Sequence, residues 1–159
     1  VTGVQTCALP ISTPPDWPRI SSSLHYRDAA GAIDWLCAAF GFTLRLKVEG
    51  EGGRIEHSEL EFGDGVIMVC QEDAADAPLR FGSRRVSPLT AGGTTQGLMV
   101  YVDDAQAHCE HARAQGATIV AEPAVHDYGE DYWADRGYSA LDCEGHVWWF
   151  AERLRTPQR

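Results

Sequence analysis

An internal repeat constrains this chain more than any other feature. Sliding the sequence along itself by 75 residues pairs Tyr26 with Tyr101, Asp28 with Asp103, Ala30 with Ala105, Ala32 with Ala107, Ala39 with Ala114, Gly41 with Gly116 and Thr43 with Thr118. Seven identities over the eighteen positions 26–43 exceed the roughly one or two that composition alone supplies, although shared alanine contributes. A second anchor lies at an offset of 80, where Asp64-Gly65 meets Glu144-Gly145. The later copy therefore carries about five extra residues, placed in the segment 126–136. A chain of 159 residues has room for two such copies and is long enough to bury a sizeable core.

Each copy reads as the same run of elements. Ile20, Leu24 and Tyr26 alternate with Ser21, Ser23 and His25 in the two-residue period of a half-buried strand. Asp28 supplies an N-cap, Ile33, Leu36, Cys37 and Phe40 recur at helical spacing, and Gly41 closes the helix. Strands are expected at 42–49, 54–62 and 66–70, separated by glycine-rich turns. In the second copy a strand at 96–102 precedes a helix capped by Asp103 or Asp104 and ended by Gly116, with further strands near 117–125, 137–141 and 146–152. The expected class is α+β, with tandem βαβββ modules at about 18–72 and 94–153. The intervening 73–93, polar and without period, reads as a loose linker.

Composition narrows the function classes. Lys and Arg number 13 against 23 Asp and Glu, a net charge of −10 that repels nucleic-acid phosphates and anionic lipid and attracts cationic ligands. There is no apolar run of membrane-spanning length and no basic segment leading into an apolar one, so the expectation is a cytoplasmic protein without membrane or nucleic-acid partners. Residues 1–12 (VTGVQTCALPIS) resemble a translated sequencing-library adapter and are set apart from the single domain expected over 13–159. Of the remaining cysteines, Cys37, Cys70, Cys109 and Cys143, none forms a CxxC pair, and all are expected as buried reduced thiols.

The strings YRDAAGAIDWLCAAFGF, HSELEFGDGVIMV and DRGYSALDCEGHVWWF, in this duplicated βαβββ order, resemble the vicinal oxygen chelate superfamily of glyoxalases, bleomycin-resistance proteins and extradiol dioxygenases. The resemblance covers 18–153 and implies sheets curled into a cup with the ligand inside, formed within one chain or exchanged between the chains of a homodimer. Metal-using members draw four His or carboxylate ligands from the first and last strands of each module. The matching positions here are Ser21, Met68 or Val69, Gly97 and Trp149, and no His, Asp or Glu lies within a residue of them in those strands. Divalent ions need oxygen or imidazole donors, so no metal and no other cofactor is expected at that position. A relocated site using His25, His57 and Glu59 stays open.

Strand parity then proposes a ligand lining of Ser21, Ser23 and His25, of Met99 and Tyr101, of His57 and Glu59, and of Trp149. His57 and Glu59 are also the candidates for acid-base catalysis. Trp148 and Phe150 belong to the core, and His146 to a structural hydrogen bond. The loop 126–136 brings Tyr128, Tyr132, Trp133 and Arg136 together with four acids and reads as a lid for a cationic or aromatic ligand. Its alternative is a solvated loop whose aromatics pack on a dimer partner. Two functions follow: metal-independent sequestration of a small molecule, such as an antibiotic, or a glyoxalase-like or dioxygenase-related enzyme with a relocated or metal-free site.

Overall fold

The structure, a computed structural model, describes residues 14–79 and 82–157; the adapter-like segment lies outside them. The strands are β1 (Ser22–Tyr26), β2 (Thr43–Glu49), β3 (Ile55–Phe62), β4 (Gly65–Gln71), β5 (Gly97–Tyr101), β6 (Thr118–Asp127), β7 (Ala134–Leu141) and β8 (Val147–Arg155). The helices are α1 (Ala29–Phe40), α2 (Pro88–Ala91) and α3 (Ala105–Ala114). Two four-stranded sheets result, ordered β1-β4-β3-β2 and β5-β8-β7-β6, each with one parallel pair at one edge. This is the expected tandem βαβββ architecture. No helix among the described residues is long and apolar enough to cross a membrane.

The helices form where caps and apolar stripes coincide. Asp28 accepts from Gly31 N at 3.0 Å and Asp104 from Ala107 N at 2.9 Å, each satisfying an otherwise unpaired first-turn donor. Asp104, not Asp103, is thus the cap of α3. Gly41 ends α1 with φ of 78°, a left-handed conformation that a side chain would strain. Ile33, Leu36 and Phe40 face inward, and Phe40 packs on Trp148 and Phe150 of the other module at 5.4 and 4.8 Å between ring centres. One core therefore serves both modules. His108 bridges them too, its Nδ1 2.6 Å from the Tyr138 hydroxyl and its Nε2 3.2 Å from the Phe40 carbonyl oxygen.

A buried carboxylate pins the first strand to the last hairpin. Asp142 accepts from the Tyr26 hydroxyl at 2.6 Å, the Trp148 indole at 3.0 Å and the backbone of Glu144 and His146 at 3.0 Å each. Burial works to raise its pKa, but the donors around it prevail and lower it. Glu144 in turn accepts from Arg27 N, Asp28 N and the Ser87 hydroxyl. Ser87 also caps α2, so the segment expected to be a loose linker is tied into the hairpin.

Other expectations need correction. Ile20 is 90% exposed, because β1 begins only at Ser22 and Ile20 has no sheet to lie against. Cys143 sits exposed in the β7–β8 turn, unlike buried Cys109. The segment 126–136 is no long lid: β6 runs to Asp127 and β7 starts at Ala134, so the extra residues lengthen a hairpin and leave only 128–133 as its tip.

Candidate functional site

Register decides which side chains share a face. On the first sheet Ser23 pairs with Met68, Met68 with Glu59 and Glu59 with Leu46, so these four form one row across it. His57 and Val48 lie opposite one another in the neighbouring row. His57 Nε2 lies 3.1 Å from Glu59 Oε1, and Arg45 Nε holds the other carboxylate oxygen at 3.1 Å. The pair singled out from HSELEF is in contact, with Arg45 as an orienting partner that parity did not supply.

On the second sheet Met99, Trp149 and Ser139 make the corresponding row, with Tyr101, Ala151 and Gly137 beside it. Trp149 lies flat against Gly137, where an added Cβ would come within 2.8 Å of its Nε1. Met99, Tyr101, Tyr128, Trp133 and Trp149 line a cleft of about 460 Å³, together with His126, Asp135 and Arg153. His126 packs on Trp149 at 5.7 Å and Tyr128 on Trp133 at 5.5 Å.

Arg153 organises the end of this cleft. Its guanidinium bonds Asp135 at 2.5 Å, bonds the Tyr101 hydroxyl, and lies 5.0 Å from the Tyr101 ring centre and 5.9 Å from that of Trp133. The hydrogen bond to Asp135, opposed by desolvation, raises the Arg153 pKa, so its charge is permanent. Arg153 follows Trp149 and Ala151 at the same two-residue step, and extending that parity by one position finds it. Asp135 and His126 needed the β6–β7 register, which the sequence does not print.

Several expected lining residues sit elsewhere. Arg136 alternates to the opposite face from Asp135 and Gly137, and pairs with Glu152 at 3.3 Å, where Glu152 also accepts from Ala105 at the start of α3. Tyr132 stands at the hairpin tip, its backbone bonded to Gly129, outside the cleft lining. Ser21 donates its hydroxyl to the Val66 carbonyl at 2.5 Å. Ser23 and His25 line a separate cavity with the linker. The first-sheet candidates and the aromatic cleft therefore do not converge on a single cup within one chain. Two of the hairpin's four acids are also committed, Asp127 to Arg155 and Asp135 to Arg153.

The glyoxalase/bleomycin resistance protein/dioxygenase superfamily profile matches residues 22–150, spanning both modules. The chain belongs to this superfamily. An uncharacterized protein of Mycobacterium tuberculosis strain H37Rv is 30% identical over 138 residues, covering 87% of this chain and 76% of that relative. The crystal structure of TioX from Micromonospora sp. ML1 matches with a TM-score of 0.65 at 30% identity, over 86% of this chain and 99% of TioX. TnmS3, an antibiotic binding protein from Streptomyces sp. CB03234, shares the fold with a TM-score of 0.61 at 17% identity, over 92% of this chain and 99% of its own.

The metal positions of the superfamily do not fit a metal here. Ser21 is spent on a backbone carbonyl, Met68 offers a thioether, Val69 an alkyl group, Gly97 nothing and Trp149 an indole. Among the described residues no group of three or more His, Cys, Asp or Glu side chains is arranged to hold an ion, so His25, His57 and Glu59 do not form the relocated site either.

Proposed function

We propose that this superfamily member is a metal-independent binding protein that sequesters a small planar aromatic ligand, such as an antibiotic, in the cleft of its second module. The aromatic lining of that cleft, with Trp149 39% exposed and open to a stacking partner, carries the reading. Ring stacking adds about 0.5–1.5 kcal/mol per pair beyond the area buried. A flat neutral ligand is favoured over a cation because Arg153 already occupies the cation position over Tyr101 and Trp133. An antibiotic-binding protein with the same fold lends support. The cleft is open on one side, and a second copy of the chain completes it in this reading.

Tryptophan fluorescence tests it with two probes, acridone as a neutral planar ring and bleomycin as a cationic glycopeptide. Acridone should quench emission, and Trp149→Ala or Trp133→Ala should each weaken it about tenfold, the loss of one stacked face. Unchanged affinity in both variants would put the site elsewhere, and silence with both probes at high micromolar concentration would remove the drug reading. Stoichiometric zinc, nickel, iron or manganese in the purified protein would overturn metal independence.

A second reading rests on the His57–Glu59 contact with Arg45 behind it, an arrangement able to move a proton. Turnover of a bound substrate that Glu59→Gln abolishes without loss of binding would favour an enzyme.

A further inference from the structure

We infer a second ligand site, for a small oxyanion such as a carboxylate or phosphate group, in the cavity between β1, the linker and the start of β8. The cavity measures about 630 Å³ and takes its polar wall from Ser23, His25, Arg84, Thr94, Gln96 and His146. It shares no lining residue with the aromatic cleft.

Three observations point to an anion. In a chain of net charge −10, the lining holds two arginines, Arg84 and Arg85, two histidines and no carboxylate. The acids around it are already committed: Asp73 to Arg85 through two hydrogen bonds of 2.7 and 3.1 Å, Asp142 to the Tyr26–Trp148 network behind His146, and Glu72 and Glu144 to Ser87 between the lining residues Val86 and Pro88. Arg84 gives one N–H to the Ala74 carbonyl at 2.7 Å, which leaves it the other donors of its fork.

The second observation concerns unsatisfied nitrogen. His25 is 8% and His146 4% exposed, and the Nε2 of the former and the Nδ1 of the latter have no hydrogen-bond partner among the described residues. His146 Nδ1 lies 3.3 Å from Asp142 Oδ2 but off the line of a hydrogen bond. Buried polar atoms are almost always paired, so the orphan Nε2 of His25, a residue of the cavity wall, marks a place where a ligand or water completes the structure, whereas His146 Nδ1 faces Asp142. Third, the wall is rich in donors: beside the arginines, the ring of His25, kept neutral because burial above all and then Arg85 hold its pKa at about 4, has one N–H to give. Ser23, Thr94 and Thr95 add hydroxyl donors around the same space. Because the cavity walls come from both modules and from the linker, an anion there would fasten the linker across β1.

Side-chain histidine NMR of the uniformly ¹⁵N-labelled protein tests this, with inorganic phosphate and acetate as separate titrants. The His25 and His146 ring signals should move and saturate with a dissociation constant of about 1 mM or tighter for at least one titrant. His57 and His126, on other surfaces, should stay in place, and the titrant that binds names the oxyanion. Arg84→Ala, in the exposed part of the linker, should weaken binding about tenfold without disturbing the fold. A chloride-matched titration in which no histidine moves, or in which all six drift without saturation, overturns the site. So does unchanged affinity in both Arg84→Ala and His25→Gln. None of these outcomes bears on acridone binding at the aromatic cleft.

Discussion

His25 shows how one buried side chain sets a pH dependence. Its pKa falls from 6.5 to about 4, chiefly through burial and then through the Arg85 charge, with Asp73 opposing. The unfolded chain takes up this proton near pH 6.5 and the folded chain only near 4, so between those values the unfolded state binds more protons. Stability is therefore whole above pH 6.5 and drains as pH falls towards 4, by at most about 3 kcal/mol. His108, whose pKa burial also lowers, contributes in the same direction. Asp73 belongs to a lower window: the hydrogen bond from Arg85 brings its pKa to about 2, so its contribution is lost only below the ordinary carboxylate range. Denaturant unfolding at pH 7, 5.5 and 4 should show this slope. His25→Gln should remove most of it while leaving the steeper loss below pH 4, and an unaltered slope would mean that His25 is not the titrating group.

At the scale of elements, the repeat was legible and its phase was not. The caps, the closing glycine and the strand order follow from Asp28, Gly41 and the alternating runs, because these are local signals. The offset of 75 holds at Gly41 and Gly116, yet α1 is capped by Asp28 and α3 by Asp104, an offset of 76. Facing agrees with 76 along the first strands: Leu24 is buried as Val100 is packed against the core, whereas Tyr26 lies in the core and Tyr101 in the cleft. The identity of the two tyrosines is thus out of phase by one residue, and in a strand one residue exchanges the faces. Arg136 fails for a different reason: from sequence it belongs to a lid over 126–136, whereas β7 begins at Ala134 and turns it towards Glu152. The β7–β8 register places Gly137 under Trp149. Gly137→Ala should cost only about 1 kcal/mol of stability, as a strand can accept alanine, but should displace the indole. A shifted Trp emission maximum with weaker acridone binding is expected; unchanged emission and affinity would show that this close approach does not set the ring.

For the whole molecule, the helices and one side of each sheet share a single core, and the opposite sides are left open. On the first sheet Leu46 and Val48 are 42% and 43% exposed beside Glu59 and His57; on the second, Met99 and Tyr101 are exposed beside Trp149. Scattered apolar residues on a monomer need no explanation, but two rows on two related faces of one chain mark surfaces suited to burial against something. In the proposed dimer, a second copy placing the first-sheet face of one chain on the second-sheet cleft of the other would bury both sets twice by symmetry. It would also bring His57 and Glu59 over the aromatic cleft, uniting the two groups of candidates that one chain keeps apart. Light scattering across micromolar concentrations should then report a dimer. Leu46→Glu with Val48→Glu should yield a folded monomer, because neither side chain is in the core. That monomer should bind acridone more weakly although every residue of its own cleft is intact. If it binds as tightly as the parent, the cleft is complete within one chain and the exchange of faces is wrong.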